Sequence, residues 1–443
     1  MKNIKQAIFS LSMVLLLSAC ASPNTPKGNP NLKLIDPSDT SMLTENCKAY
    51  VDAMREQEKR LKKDPYKENP YKYSDLLGTD GVNIDEEKLK VPMDERVYLD
   101  KGDVNGKNDT VNGQVPDRSD KNTGVDLSFE VAEGFEAEKY LVYVSDNPRF
   151  TNPKKIEAKN NSVNVKNLFV NTKYYWKVVA DDSESEVRTF TTEDYPRWIS
   201  ARPLYNVRDT GGYMTYSGKR VKQGMFYRGG EITTRSWGNN HLLTYTDDPY
   251  EGSSKQAFRD DMGMVGGTEL DLRGSGDIGD GYKAPCAFAE NGDIGYVQKA
   301  IKSYHNTFRE TRSVLKEIFN DVLSQEANYP IYYHCFGGAD RTGTLAFLVN
   351  GLLGVSYTDL VIDFELTSYS SINSEHIRCH IPGFQHSYDY WPNLINQLKT
   401  DSDDDYSWDD DALLMDNIKN YLMYRCDVTE DAIKAIEKIM LEK

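Results

Sequence analysis

The sequence predicts two folded parts, an all-β sandwich followed by an α/β domain in which helices flank a central sheet. The chain has 443 residues, more than one hydrophobic core usually organises. Apolar residues alternate with a period of two in short stretches between residues 123 and 192, as in half-buried antiparallel strands. Beyond Pro196, short apolar strands instead alternate with helical patterns, which is typical of a layered parallel or mixed sheet.

The first residues have the form of an export signal. Lys2 and Lys5 precede an apolar stretch at 7–17, and Leu-Ser-Ala-Cys follows and ends at Cys20. This pattern resembles a bacterial lipoprotein signal peptide over 1–20, with an ordinary secretory signal as the alternative. The resemblance implies lipidation of Cys20 and an exported protein anchored to a bacterial membrane, on its periplasmic or cell-surface face. No later segment is long and apolar enough to predict a membrane-spanning helix.

The net charge argues against one class of partner, and the cysteine content argues against a disulfide-rich fold. The formal net charge of −16 disfavours long-range attraction to nucleic acid, so we expect no nucleic-acid partner. The cysteines are few and scattered, and no disulfide framework is predicted. Whether Cys286 and Cys379 pair in an oxidising compartment stays open.

Residues 21–117 are predicted to be a tether and N-terminal region, with a helix near 41–62 where apolar residues recur close to a 3.6-residue period. Residues 118–194 are predicted to form the β-sandwich. The run from Leu168 to Thr192 resembles a fibronectin type III domain, which implies an immunoglobulin-like spacer or binding module; a glycan-binding or adhesive role for it is an alternative for the chain's biology.

The α/β domain is predicted over 197–443. Its predicted strands include 269–273 and 329–334, and its predicted helices include 296–324 and 341–353. Two helices are predicted at the C-terminus, with Thr429 as the N-cap of the second. The acidic run at 401–411 lacks the glycine and the closing glutamate of a calcium loop, which favours a solvated loop.

One short segment concentrates chemistry. The sequence HCFGGADRTGT at 334–344 lies between a predicted strand and a predicted helix, so its backbone amides converge at a helix N-terminus and can bind an anion. Gly337 and Gly338 allow the tight turn that such a cradle needs. The residues expected to hold the three oxygens of a phosphate are Phe336, Gly337, Gly338, Ala339, Asp340, Arg341 and Thr342.

Cys335 begins this loop and would lie beneath a bound phosphorus. A helix N-terminus and a neighbouring guanidinium lower the pKa of a thiol, so we expect a thiolate nucleophile. Arg341 can form two hydrogen bonds to equatorial oxygens and stabilise the charge that develops on them. Thr342 could donate to the thiolate or to a later water. No second Cys or His stands at a spacing suited to zinc, so no metal is expected.

The Cys-x5-Arg-Thr spacing, preceded by His334, resembles the signature loop of the cysteine-dependent protein tyrosine phosphatases. Residues 206–213 and 221–231, together with Asp271-Leu272-Arg273, resemble the bacterial tyrosine and serine phosphatase family over residues 197–443. The resemblance implies hydrolysis of phosphate monoesters through a phosphocysteine, without cofactors. The expected partners are a phosphorylated protein or a small phosphomonoester, and a membrane through Cys20.

This chain departs from the family at one position. The family loop usually carries Lys-Asp before the arginine, but here Ala339-Asp340 stands there. The loss of a second cation makes multiply phosphorylated inositols less favoured substrates. An inositol-phosphate or other small-molecule phosphatase remains the alternative enzyme, and an inactive anion-binding lipoprotein is the alternative outside enzymes.

Several residues are candidates for the remaining roles. The leaving oxygen needs a proton donor, and Asp340, then Asp271, then Asp277 are the candidates. Asp271 could instead form an ion pair with Arg273 or Arg208. The residues expected to support the cradle from behind, rather than to touch substrate, are His334, Asn206, Arg208 and Asp209.

Overall fold

The computed structural model describes residues 28–63, 99–100, 110–111, 122–202, 204–232, 256–278, 285–302, 305–370 and 411–443. The chain divides into two compact units. The first contains described residues up to Asp36 together with Ser128–Ser162 and Tyr175–Thr189. The second contains Pro37–Leu127, Val163–Tyr174 and Phe190–Lys443. The predicted signal peptide and Cys20 lie outside the described residues.

The β-rich part of the chain contains two sheets. Their strands are β1 (Leu32–Ile35), β4 (Val125–Val131), β5 (Tyr140–Ser145), β6 (Lys154–Glu157), β7 (Ser162–Val165), β8 (Lys173–Ala180), β9 (Ser183–Glu184) and β10 (Arg188–Thr191). The sheet orders are β1-β4-β7 and β10-β8-β5-β6, with β9 on β8. Burial alternates along β8, so the period-two pattern of the sequence marks a true strand. A face-to-face sandwich and its fibronectin type III character stay predictions.

The N-terminal region also contributes ordered elements. The strand β1 lies within residues 21–117, which were predicted to be a tether and N-terminal region, and it pairs with β4 from Leu32 opposite Val131 to Ile35 opposite Ser128. The predicted helix near 41–62 is observed as α1 (Glu45–Lys63). A two-strand ladder joins β2 (Leu99–Asp100) to β3 (Thr110–Val111).

A five-stranded sheet organises the second unit. Its order is β11-β12-β15-β13-β14, with bounds β11 (Arg208–Asp209), β12 (Phe226–Gly229), β13 (Thr268–Asp271), β14 (Gly295–Gln298) and β15 (Ile331–His334). Four of these strands are parallel, and β11 is antiparallel to β12. Every residue of β12, β13 and β15 is buried, as expected for a sheet covered on both faces.

Helices surround this sheet. They are α2 (Ser275–Ile278), α3 (Ala287–Glu290), α4 (His305–Glu310), α5 (Arg312–Glu317), α6 (Asp340–Leu352), α7 (Tyr357–Glu365), α8 (Asp411–Cys426) and α9 (Glu430–Met440), with π-helical turns at Ala257–Asp261 and Ile318–Leu323. Eleven of the residues of α6 are buried, which makes it the central helix of the core. Thr429 caps α9 as predicted, accepting a hydrogen bond from the amide of Ala432 at 3.1 Å. No helix among these described segments combines the length and the apolar character that crossing a bilayer requires.

The predicted helix at 296–324 is wrong at its start. Residues Gly295–Gln298 form β14, which pairs in parallel with Thr268–Asp271. Helical structure begins only at His305. These residues form a strand and not a helix because Tyr296 and Val297 favour strands and because the edge of β13 is available for pairing.

The register of the parallel strands places their carboxyl ends together. Gly229 lies opposite His334 in β12 and β15, and Asp271 lies opposite the same histidine in β13. In open α/β sheets, ligands bind at this edge. The loop that follows β15 is therefore the expected position for a functional site.

Candidate active site

The loop after β15 connects His334 to the first turn of α6 and carries Cys335, which is 3% exposed. Gly338 adopts a φ of +64°, and a Cβ there would lie 2.3 Å from the carbonyl oxygen of Gly229. Only glycine fits this position, because the loop turns in the left-handed region directly against the end of β12. This explains one of the two adjacent glycines in the sequence.

The carbonyl of Phe336 is held on the outside of the loop. The amide of Glu231 donates to it at 2.9 Å, and the hydroxyl of Tyr205 donates to it at 3.2 Å. Since the C=O and N–H of one peptide point in opposite directions, this bond turns the amide of Gly337 toward the other side of the loop.

The next two carbonyls are held in the same way. Asn206 Nδ2 donates to the oxygens of Gly337 and Gly338 at 3.1 Å each. The Arg228 guanidinium donates to the oxygen of Gly338 at 2.8 Å. These external donors orient consecutive peptides, so that consecutive amides face the interior of the loop and form an anion cradle.

A buried ion network fixes the donors themselves. Asp363 on α7 accepts from Arg228 and, at 3.4 Å, from Arg208 Nε. Arg208 also donates to Asn206 Oδ1, which sets the direction of the amide that holds the cradle. Burial and the charge of Arg228 lower the pKa of Arg208 to about 10. Asn206 and Arg208 therefore lie behind the loop, where the sequence placed them.

Asp209 has a different set of partners. Its carboxylate accepts from Arg197 Nη1 at 2.6 Å and from the amides of Gly211 and Gly224 at 2.8 and 2.6 Å. Arg197 is 1% exposed and also donates to two carbonyls of residues 163–174, a segment that belongs to the same compact unit. Those bonds are Nε to the oxygen of Leu168 at 3.0 Å and Nη2 to the oxygen of Asn167 at 2.8 Å.

Cys335 lies where the cradle stabilises a thiolate. Burial alone would raise the pKa of its thiol, but the Arg341 guanidinium, the Thr342 side chain and the amides of Thr342 and Gly338 together lower the pKa below its ordinary value. The buried Thr342 hydroxyl has no hydrogen-bond partner in the described part of the chain, so it is available to donate to a thiolate at Cys335. The other described thiols, Cys47, Cys286 and Cys426, are also buried and lie outside any disulfide.

Cys286 and Cys426 lack this environment. Burial and the nearby Glu269 carboxylate raise the pKa of Cys286 far above its ordinary value, and burial raises the pKa of Cys426 to about 11. Neither is a nucleophile at neutral pH. Cys379 and the acidic run at 401–410 lie outside the described residues, so the open question of a Cys286–Cys379 pair is not addressed.

Arg341 and the three candidate acids occupy distinct places. Arg341 is in the first turn of α6 and forms an ion pair with Asp277 of α2, with Nη1 2.6 Å from Oδ2. Asp340 is the first residue of α6 and is partly exposed. Asp271 is fully buried, and Arg273 donates to its two carboxylate oxygens at 2.9 and 2.7 Å. For Asp271 this is the ion pair with Arg273 that the sequence left as an alternative.

His334 is buried beneath the cradle. Its Nδ1 is 3.1 Å from the carbonyl oxygen of Cys335, and its Nε2 is 3.1 Å from Glu269 Oε1. Burial lowers the pKa of the imidazole, but the charges of Asp271 and Glu269 outweigh it and raise the pKa above its ordinary value. His334 supports the loop through the contact of its Nδ1 with the carbonyl oxygen of Cys335.

Glu269, Asp271 and His334 are close enough to one another to ligate a single ion. Arg273 already places a cation on both oxygens of Asp271, and its Nη1 lies 2.8 Å from Glu231 Oε2. The cluster is an internal ion network, and a metal ion bound to Asp271 would have to displace that guanidinium.

Comparison with protein families bears on most of this site. Residues 199–245 and 289–442 match a family model described as the tyrosine phosphatase family. The match supports a tyrosine phosphatase family. The matched segments include Asn206, Arg228 and the whole cysteine loop, and they support phosphatase activity in general. They leave out residues 246–288, where Asp271 and Asp277 lie. A search of curated proteins gives no match to this chain.

Sequence reasoning missed Arg228 and Asp363, which support the cradle, and Arg197, which pairs with Asp209. Arg228 lies in the segment 221–231 that was used for the family resemblance, but its contact with the cradle carbonyls could not be read from spacing. Asp363 carries no sequence signal, because a single acid on a helix is usually a surface residue. Arg197 carries no sequence signal either, and only the structure shows that it is buried and paired with Asp209.

Proposed function

We propose that this protein is a phosphoric monoester hydrolase that acts through a phosphocysteine on phosphotyrosine, or on both phosphotyrosine and phosphoserine, in proteins. The observation that carries the proposal is the position of Cys335 beside Arg341, in a loop whose carbonyls at Phe336, Gly337 and Gly338 accept hydrogen bonds from outside the loop. A thiol with a lowered pKa, surrounded by backbone amides that face the interior of the loop, is suited to nucleophilic attack on a bound phosphate.

In this mechanism the Cys335 thiolate attacks phosphorus while Arg341 and the amides stabilise the charge on the three equatorial oxygens. A carboxylic acid protonates the departing oxygen. Water then attacks the phosphocysteine and releases phosphate, which returns the thiolate. The chain's own groups supply the nucleophile and the oxyanion donors, so the proposal includes no metal or organic cofactor.

The Ala339 position bears on substrate class. Ala339 is 1% exposed at the start of α6, where the resembled family usually has lysine. A single guanidinium and one set of amides match one phosphate group. This supports a monophosphorylated substrate over an inositol carrying several phosphates, which remains the alternative enzyme.

The test compares the full-length chain with Cys335→Ser on p-nitrophenyl phosphate, on phosphotyrosine and phosphoserine peptides, and on inositol phosphates. We expect turnover by the parent, loss of turnover in the variant, and a phosphorylated Cys335 after rapid acid quenching. Turnover that survives the serine substitution would refute the phosphocysteine route. Binding of phosphate without turnover by the parent would instead favour the anion-binding alternative.

We further propose that Cys20 carries a lipid that anchors the protein to a bacterial membrane. The support is the sequence pattern of residues 1–20. Metabolic labelling with a radioactive fatty acid should mark the parent and not Cys20→Ala. Equal labelling of the two chains would contradict the anchor.

A further inference from the structure

Asp277 is the carboxyl that directly contacts the phosphate-binding arginine. Its Oδ2 accepts from Arg341 Nη1 at 2.6 Å and from the amide of Gly274 at 2.8 Å. The Asp277 side chain is 39% exposed, so a substrate can reach it, whereas the Arg341 side chain is 15% exposed. Asp277 therefore lies at the open side of the cradle, next to the group that must bind phosphate oxygens.

The ion pair and substrate binding compete for the same guanidinium. Arg341 has to direct its donors at equatorial phosphate oxygens during the reaction, but without substrate one of them is bonded to Asp277. An arriving phosphate dianion would share or take that donor. It would also bring two negative charges close to the Asp277 carboxylate.

Substrate binding therefore changes which protonation state of the Asp277 carboxyl is favoured. Burial raises the pKa of Asp277, but the bonds from Arg341 and Gly274 outweigh it and keep the pKa below its usual value. The other cation that acts on it, Arg273, is already bonded to Asp271 and Glu231. Loss of the Arg341 bond and the approach of a dianion both favour the protonated carboxyl.

We propose that Asp277 is the general acid, and that its ion pair with Arg341 keeps it ionised until a phosphate ester binds. This inference rests on the proposed function. It makes proton delivery conditional on an occupied cradle: when the ester binds, the Asp277 carboxylate takes a proton from solvent, and after phosphate leaves it returns a proton to solvent as the ion pair with Arg341 forms again. Asp271 is unsuited to the role because it is fully buried and held by Arg273.

The proton balance over the two steps is as follows. Cys335 Sγ forms a bond to phosphorus, the ester P–O bond breaks, and its electron pair goes to the leaving oxygen, which takes the proton from the Asp277 carboxyl. The products are phosphocysteine, an alcohol or phenol, and an Asp277 carboxylate. In the second step water attacks phosphorus and gives its proton to that carboxylate, while the S–P electron pair returns to Sγ and phosphate leaves.

The test uses the full-length chain with Asp277→Asn, and Asp260→Asn as a matched control, since Asp260 is an exposed acid in the π-helical turn Ala257–Asp261. Steady-state kinetics are measured on p-nitrophenyl phosphate, whose leaving group departs without help, and on phenyl phosphate, whose leaving group needs a proton. Competitive inhibition by inorganic phosphate reports on the cradle.

We expect kcat on phenyl phosphate to fall about 10²-fold or more in Asp277→Asn, because general acids contribute about 10²–10⁴-fold. On p-nitrophenyl phosphate the loss should be much smaller. Inorganic phosphate should bind up to about fivefold more tightly, since an amide competes less well for Arg341 than an exposed carboxylate does. The control should match the parent in all three measurements.

Three results would overturn the inference: equal loss on both substrates, unchanged kinetics, or weaker phosphate binding in Asp277→Asn. The first and third would assign Asp277 a purely structural role in holding Arg341. These results differ from failure of the proposed function, in which the parent itself would not turn over p-nitrophenyl phosphate, and that result would overturn both proposals.

Discussion

Replacing Arg197 with methionine should destabilise the second compact unit by about 3–5 kcal/mol, the range for breaking a buried ion pair by removing one partner. Arg197 is 1% exposed and forms a 2.6 Å ion pair with Asp209. Methionine keeps most of the side-chain length but removes the charge and every donor. The carboxylate is then left buried with only the amides of Gly211 and Gly224.

Two further losses support this magnitude. The carbonyls of Asn167 and Leu168 lose the donors that Arg197 supplies at 2.8 and 3.0 Å. A buried carbonyl left without its partner costs about 1–3 kcal/mol. The amides that remain on Asp209 offset part of the total, which keeps the expected value within the stated range.

The assay is urea unfolding of the full-length chain, followed by tryptophan fluorescence and by residual phosphatase activity. Lys434→Met is the matched control, because it removes a cation from the exposed pair with Glu430 and should leave the midpoint unchanged. The double variant Arg197→Met with Asp209→Asn should cost less than the sum of the single variants. A free energy of unfolding within about 1 kcal/mol of the parent for Arg197→Met would refute the reasoning.

Two further predictions concern the cradle. Gly338→Ala should reduce kcat/KM on p-nitrophenyl phosphate by about 10²-fold or more, since its Cβ would lie 2.3 Å from Gly229 and displace the amides. Gly218→Ala, at a φ of +79° with open space around it, should leave activity near the parent level, and equal effects would contradict the steric argument. Thr342→Val should raise the pKa of the Cys335 thiol, because a thiolate donor is lost. Two measurements should then move to higher pH: the midpoint of Cys335 alkylation, followed by mass spectrometry, and the acidic limb of the kcat/KM profile. The control Thr344→Val should move neither. An unchanged alkylation midpoint in Thr342→Val would contradict the assignment.

The sequence predicted best where local rules decide the structure. The short helix over 341–353 was placed within one residue of α6, and Thr429 was recognised as a cap, because capping and apolar runs act over a few residues. Period-two alternation located β8 for the same reason. The cysteine loop was recognisable because its backbone requirements restrict residue type at fixed offsets.

It failed where partners are distant in sequence. Whether residues 295–298 become strand or helix depends on the edge of β13, which no local window contains. The support of the cradle by Arg228 and Asp363 joins residues 135 positions apart. The comparison of the candidate acids also needed the structure, because local sequence does not show how buried an aspartate is or which cation it meets.

The bonds from Arg197 to the 163–174 segment limit how this chain can be rearranged in evolution. The predicted module boundary between 194 and 197 falls next to Arg197, yet two of its acceptors, the carbonyls of Asn167 and Leu168, lie on the far side of that boundary. An exchange of residues 118–194 for an unrelated module would leave the buried Arg197 guanidinium without these two acceptors. The two predicted modules are therefore expected to be inherited together, even though their sequence patterns predict two independent domains.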